Sequence, residues 1–177
     1  MVTTKKTRRP QVLIDQAAIE RRVGELAAEI SRDFADATEM TAIGILKGSV
    51  FFFTDLLKRI DLPMAIDFFQ TSSYGSGSVP GEVRIKRDID LSIRGRDVLL
   101  VEDIVDTGWT VRTILDLFRF RGARRVKLAT LLDKHARRET EVPIDYVGFR
   151  IEPRFVVGYG LDHDERWRNL PYIGVMD

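Results

Sequence analysis

The stretch Val98-Leu99-Leu100-Val101-Glu102-Asp103-Ile104-Val105-Asp106-Thr107-Gly108-Trp109-Thr110 holds the residue types most able to do chemistry. Its four leading apolar residues read as a parallel strand buried on both faces. Such a strand delivers Glu102 and Asp103 at its carboxyl end, where ligands of open α/β sheets bind. Two apolar residues later, Asp106 to Thr110 leads into a helix. Backbone N–H groups at that turn, the helix N-terminus and the Thr107 and Thr110 hydroxyls form a phosphate cradle. Acids beside a phosphate repel it unless a cation intervenes. A magnesium ion held through phosphates, ribose hydroxyls and water reconciles the two. Taken singly, Asp106, Thr107 and Thr110 read better as helix caps, and the two acids as solvated carboxylates. The whole string does not.

The surrounding pattern must position these groups. Residues 1–10 read as a basic tail. Val12 to Ile14 is strand-like, and Asp15 is a helix N-cap. Ile19, Val23, Leu26, Ala27, Ile30 and Phe34 recur at helical spacing and predict an amphipathic helix from Asp15 to Phe34. Thr41 to Leu46 reads as a buried strand, followed by Lys47-Gly48-Ser49 and an apolar helix through Ile60. Met64 to Phe69 is another strand. Ser72 to Glu82 carries three glycines, one proline and four serines in eleven residues. It cannot present a packed face and reads as a long mobile loop, a lid in preference to a linker. Val83 to Arg87 returns as a strand. After Thr110, Val111, Ile114, Leu115, Leu117 and Phe118 mark the inward face of a helix closed by Arg121-Gly122-Ala123, and Val126 to Leu132 is the next strand. Alternating strands and helices predict an α/β fold with a mostly parallel central sheet flanked by helices. Tyr146 to Ile151 and Phe155 to Leu161 are strand-like with no helix between, so the end is read as a small irregular subdomain.

Composition bounds the chemistry. With 177 residues, one domain and one main site are expected. The chain is 44% hydrophobic and 31% charged, which excludes a disordered polymer. Its formal charge of +1 offers no bulk attraction to nucleic acid or anionic membrane. It lacks cysteine, so disulfides, thiol catalysis and thiolate metal sites are excluded. With only two histidines, His135 and His163, a multi-histidine metal site is not expected. The basic start is not followed by the apolar run of a secretory signal, and no apolar stretch approaches the ~20 residues of a membrane span. A cytoplasmic protein without membrane or nucleic-acid partners is the expectation.

Glu102 to Thr110 resembles the phosphoribosyl pyrophosphate signature of type I phosphoribosyltransferases. The resemblance extends over nearly the whole chain to the bacterial hypoxanthine-guanine phosphoribosyltransferases. It runs through Gly44-Ile-Leu-Lys-Gly-Ser-Val50, Ser72-Ser-Tyr-Gly-Ser-Gly77, Leu131-Leu-Asp-Lys134, Phe155-Val-Val-Gly-Tyr-Gly-Leu-Asp162 and Arg166-Trp-Arg-Asn-Leu-Pro-Tyr-Ile-Gly174. It implies the type I phosphoribosyltransferase fold as a single domain over 1–177. The core would span about 15–140, with a small hood from about 10–15 plus 145–177 and a mobile loop at about 72–84. It also implies magnesium-dependent purine salvage: phosphoribosyl pyrophosphate transfers its sugar to N9 of hypoxanthine or guanine, giving IMP or GMP plus pyrophosphate.

The residue roles follow from the same resemblance. Glu102 and Asp103 match the residues that hold the ribose hydroxyls, directly or through magnesium, and Asp106 the catalytic carboxylate beside N7 of the purine. Asp106, Thr107, Gly108, Trp109 and Thr110 match the 5′-phosphate loop, in which Trp109 replaces a commonly smaller or more polar residue. Lys47 and Gly48 match the pyrophosphate loop, where the Leu46–Lys47 peptide can be cis. Lys134 matches the donor to the purine O6, which favours a 6-oxopurine over adenine. Phe155 matches the aromatic that stacks on the base, and Val156 the position whose backbone reads its edge. Asp162 matches a ligand of a second magnesium and Arg168 a pyrophosphate-binding arginine. Ser73 and Tyr74 match the pair on the flexible loop that closes over the site and excludes water. A homo-oligomer, dimer or tetramer, is implied, and the apolar Val50-Phe-Phe-Phe53 run favours an interface.

Three other readings compete. Salvage preferring guanine or xanthine differs only at the purine 2-position. An RNA-binding regulator on the same scaffold needs a basic face, for which Arg121-Gly-Ala-Arg-Arg-Val-Lys127 is the one candidate. A dinucleotide oxidoreductase or P-loop kinase needs Gly-rich motifs that the chain lacks.

Overall fold

The computed structural model describes residues 9–73 and 83–176. In chain order its elements are β1 (Gln11–Ile14), α1 (Gln16–Asp33), β2 (Met40–Leu46), α2 (Val50–Leu57), β3 (Ala65–Ser73), β4 (Val83–Arg87) and β5 (Asp97–Val105). They continue with α3 (Trp109–Phe120), β6 (Arg125–Asp133), a 3₁₀ turn at His135–Arg137, β7 (Tyr146–Arg150), β8 (Val156–Val157) and β9 (Ile173–Val175).

A six-stranded sheet in the order β4-β3-β2-β5-β6-β7 forms the centre. All its pairings are parallel except the edge hairpin of β3 with β4. The fully apolar middle of β5 is explained by its two covers. Leu99 and Val101 join the core under α1 and α2, with Val23, Leu26, Ile30, Phe52 and Leu56. Val98 and Leu100 join the core under α3, with Val111, Ile114, Leu115 and Phe118. Helix α1 begins where the cap signal places it, for Asp15 accepts the Ala18 N–H at 2.8 Å. In the Val50-Phe-Phe-Phe53 run, Phe52 and Phe53 are buried while Phe51 is 41% exposed, so most of the run is internal core.

A second, three-stranded antiparallel sheet, β1-β9-β8, joins the two ends of the chain into a hood. Tyr146–Arg150, grouped with the hood on sequence, is instead the outer strand β7 of the large sheet, in register with β6 from Ala129↔Tyr146 to Asp133↔Arg150. No helix precedes it, which is why the α/β alternation did not reveal its place; the connection from β6 is made by the 3₁₀ turn and an extended segment. Only Val156–Val157 of the second strand-like stretch forms a strand, because Gly158 bridges back to Leu161 and turns the chain. The loop expected at about 72–84 falls largely on residues outside the described set.

At the opposite end of β5 from the acids, Asp97 is fully buried and pairs with Arg124 and Arg125. Nearby Asp33 takes Lys127 Nζ at 2.9 Å and the Tyr146 hydroxyl at 2.8 Å. The Lys127 and Tyr146 hydrogen bonds hold the Asp33 carboxyl below its usual range. A depressed carboxylate adds stability above its unfolded pKa, near ~3.9, and loses it as pH falls through the folded value. Asp33→Asn is therefore expected to flatten the acid limb of the stability–pH curve below about pH 4, checked by urea titration across pH. Asp97→Ala strips two arginines of a buried acceptor, but both retain water access. A loss of about 2–3 kcal/mol in urea unfolding is expected.

Candidate active site

Parallel strands run in one direction, so the carboxyl ends of β2, β5, β6 and β7 share one edge of the sheet. That edge gathers Lys47 and Gly48 after β2, Glu102 to Thr110 at and beyond the end of β5, and Lys134 after β6. Strand β5 extends to Val105, so Glu102 and Asp103 lie within its last turn of pleat.

Glu102 is 7% exposed. Its Oε1 accepts the Asp103 N–H at 3.0 Å, while Asp103 Oδ1 accepts the Ile104 N–H at 2.8 Å. Burial first, and then the adjacent Asp103 carboxylate, push the Glu102 carboxyl well above the usual range. Neither acid has a Lys or Arg ion-pair partner among the described residues. Two adjacent carboxylates with no protein cation fit a divalent ion. Among the described residues no three His, Cys, Asp or Glu side chains gather into a cage. An ion here must complete its shell from ligand oxygens and water, the habit of magnesium.

A cavity of about 200 Å³ opens beside these acids, lined by Glu102 to Gly108, Thr110 and Val111. It suits a sugar phosphate better than a whole nucleotide, since drug-sized pockets span roughly 300–1,000 Å³. Helix α3 begins here at Gly108, whose φ of 95° strains any residue with a Cβ. Among the described residues no side chain caps the helix, so the reading of Asp106, Thr107 and Thr110 as caps does not hold and the first-turn amides could take an anion. The loop is braced from behind: Thr107 O accepts the Glu139 and Thr140 N–H groups at 3.0 and 3.3 Å. Trp109 Nε1 donates to Glu139 at 3.0 Å, which turns the indole toward this brace.

Asp106 faces two cations. Lys134 Nζ lies 3.4 Å from its Oδ2, and Arg137 Nε 3.1 Å from its Oδ1. Lys134 itself is 7% exposed and its N–H donates to Val105 O at 3.0 Å, which fixes it beside the end of β5.

The other side of the site is built by contact of loop and hood. The Leu46–Lys47 peptide is cis. A Cβ on Gly48 would overlap Asp103 Oδ2, so only glycine lets this loop lie against the acid. Gly160 packs on the Gly48 carbonyl from the hood. Arg168 Nη1 donates to Gly160 O at 2.8 Å, and its Nη2 pairs with Asp162 Oδ1 at 2.8 Å. Asp162 is thus held by Arg168 and by the Glu165 N–H at 2.9 Å. Phe155 is 52% exposed and lies T-shaped to His163 with ring centroids 5.2 Å apart. Val156 is buried in β8. Ser73 ends β3, paired with Val83, and Tyr74 lies outside the described residues. Two residues that the sequence did not single out stand in the site: Arg137 on Asp106, and Glu165, which takes Lys47 Nζ at 3.0 and 3.1 Å. A charge three residues after Lys134 was visible; a lysine–glutamate contact across most of the chain was not.

An acidic strand end, a helix N-terminus without a side-chain cap and a lysine on the intervening carboxylate meet at one edge of an open α/β sheet. The phosphoribosyl transferase domain model matches residues 12–164, and the chain belongs to that family. It is 48% identical over 167 residues to the hypoxanthine-guanine phosphoribosyltransferase of Bacillus subtilis, covering 94% of this chain and 92% of that protein. It is 44% identical to the hypoxanthine phosphoribosyltransferase of Salmonella typhimurium, covering 93% of each. Among solved structures, a hypoxanthine-guanine phosphoribosyltransferase of Bacillus anthracis superposes with a TM-score of 0.92 at 40% identity. That match covers 96% of this chain and all of the other.

The buried Glu102 charge is a cost to the metal-free fold. Glu102→Gln keeps the acceptor for the Asp103 N–H and removes the charge. It is expected to melt at or above the wild-type temperature without metal, yet to lose most of the thermal shift that magnesium plus phosphoribosyl pyrophosphate gives the wild type. Paired melts with and without these ligands check both.

Proposed function

We propose that this chain transfers the phosphoribosyl group of phosphoribosyl pyrophosphate to N9 of a 6-oxopurine, hypoxanthine and also guanine, releasing pyrophosphate and IMP or GMP. The observation that carries this reading is the Lys134–Asp106 pair at 3.4 Å beside the uncapped start of α3. A donor and an acceptor side by side next to that helix start support the reading that a base meets a bound sugar phosphate there.

In this reading the α3 amides, Thr107 and Thr110 hold the 5′-phosphate, and Glu102 and Asp103 the ribose hydroxyls. Lys47, the Gly48 backbone and Arg168 hold the diphosphate. Phe155 stacks on the purine while backbone groups at Val156 read its edge. Lys134 donates to O6, which a 6-amino group could not accept. As N9 bonds to the anomeric carbon the ring gains acidity, and Asp106 takes the N7 proton. The sugar passes through an oxocarbenium-like state, as in glycoside cleavage. Magnesium, when bound at Glu102 and Asp103 and on the Asp162 side, supplies neutralisation of the departing diphosphate. Ser73 and Tyr74 belong to the segment that shields this state from water.

The reading extends to a homo-oligomer, for which exposed Phe51 on α2 is the apolar contact, and to action in the cytoplasm. No helix among the described residues is long and apolar enough to cross a membrane. Nothing favours the RNA-binding alternative. Arg121 is bidentate on Asp88 at 2.6 and 2.7 Å, Arg124 and Arg125 are held by Asp97, and Lys127 by Asp33.

A panel assay with hypoxanthine, guanine, xanthine and adenine, phosphoribosyl pyrophosphate and magnesium tests the function directly. Nucleotide from the 6-oxopurines and little from adenine is expected; adenine as the best substrate overturns the role of Lys134. Asp106→Asn should retain sugar-phosphate binding but lower turnover by about 10²-fold or more. Unchanged turnover removes Asp106 from the proton-transfer role.

A further inference from the structure

The hood turn from Asp162 to Arg168 carries a group that the reaction does not require. Asp164, Glu165 and Trp167 have φ of 52°, 60° and 76°, three non-glycine residues in the left-handed region within four positions. Residues in such conformations are held there by their surroundings and gather at functional sites. Here the Glu165 N–H is fixed by Asp162 Oδ2 at 2.9 Å. The Glu165 carboxylate then reaches Lys47 Nζ with both oxygens, at 3.0 and 3.1 Å, and Arg168 Nη2 at 3.2 Å. One carboxylate thus bridges an ammonium and a guanidinium, as two oxygens of a phosphate would. Glu165 is also the most exposed member, with 65% of its side chain accessible against 55% for Lys47 and 22% for Arg168. An exposed pair of this kind is weak and exchangeable. The Lys47 and Arg168 hydrogen bonds hold the Glu165 carboxyl below its ordinary range, so it stays an anion through neutral pH.

We propose that Glu165 is a resident anion of the diphosphate subsite: it occupies Lys47 and Arg168 when no ligand is there, yields them to an entering diphosphate, and competes for them with departing pyrophosphate. This rests on the reading that Lys47 and Arg168 bind the diphosphate. A monovalent carboxylate sets a threshold. A diphosphate with several charged oxygens passes it, whereas a single phosphate or sulfate gains less by displacing an anion already in place. The same competition speeds the loss of product, because the cations need not be left bare as pyrophosphate departs.

The test is calorimetric binding of sodium pyrophosphate, with magnesium, to the full chain and to three variants. Glu165→Gln removes the competing charge and keeps the length of the side chain. Glu165→Asn also removes the charge, with a side chain one methylene shorter and well suited to positive φ, should glutamine disturb the turn. Both are expected to bind pyrophosphate about 3- to 10-fold tighter, the scale of releasing one or two exposed ion pairs. Inorganic phosphate should gain by at least the same factor. Product inhibition by pyrophosphate should deepen in parallel, while KM for hypoxanthine stays unchanged. Lys47→Met is expected to weaken pyrophosphate binding. Unchanged or weaker pyrophosphate binding in both Glu165 variants, with Lys47→Met impaired, overturns the role of Glu165 alone. Wild-type binding in Lys47→Met instead removes Lys47 from the subsite, and the proposal falls with that reading.

Discussion

A carboxyl group buried at the end of a strand, with a second acid next to it and no cation among the described residues to answer either, is the constraint around which this molecule is organised. Glu102 and Asp103 repel each other and are partly shielded from water. A fold tolerates such a pair only when something outside the chain returns more free energy than the pair costs. The elements nearest the acids take the form that this demands. The α3 N-terminus lacks a side-chain cap, the Lys47–Gly48 loop lies against Asp103, and both present backbone groups instead of neutralising the charge.

The scaffold makes that arrangement precise. Strand β5 is covered on both faces by fully buried side chains and held in register by parallel neighbours on either side. Close packing leaves its carboxyl end little room to shift. Glycine supplies the remaining precision, since at Gly48 a side chain would occupy the place of the Asp103 carboxylate. The hood then closes the same contact from above through Gly160 and Arg168. The first and last strands of the chain pair to build that hood, so the site edge depends on residues from both ends of the sequence.

Local information in the sequence was enough for much of this. Apolar periodicity located α1 to within a residue at each end, and the unbroken Val98–Val101 run marked the central strand because both faces of it are covered. The Glu102–Thr110 string marked the acidic carboxyl end of the sheet because strand, acids, turn and helix are consecutive. What stayed hidden depends on pairings across the chain. Tyr146–Arg150 has the composition of any half-buried edge strand, and only its register with β6 assigns it to the large sheet. Asp97 looks like a turn residue until Arg124 and Arg125 are brought onto it. Glu165 sits in a run of charges, His-Asp-Glu-Arg, that reads as solvated surface. Its partner Lys47 is over a hundred residues away, and no periodicity connects them.

These hidden pairings share a logic. The cations that the proposed function turns toward substrate are engaged by the protein's own acids: Lys134 by Asp106, which also takes Arg137, and Lys47 and Arg168 by Glu165 and Asp162. Binding is then an exchange of ion pairs more than a capture of free charge. The desolvation of each cation has been partly met before the ligand arrives, which lowers the reorganisation that binding requires. On the proposed function, such an exchange would let a chain of net charge +1 take an anionic sugar diphosphate. Long-range attraction is weak, so selection rests on whether the incoming group outcompetes carboxylates at contact distance. On the proposed roles of Lys134 and Glu165, a base without an acceptor at its 6-position, or an anion with too few oxygens, would lose that exchange.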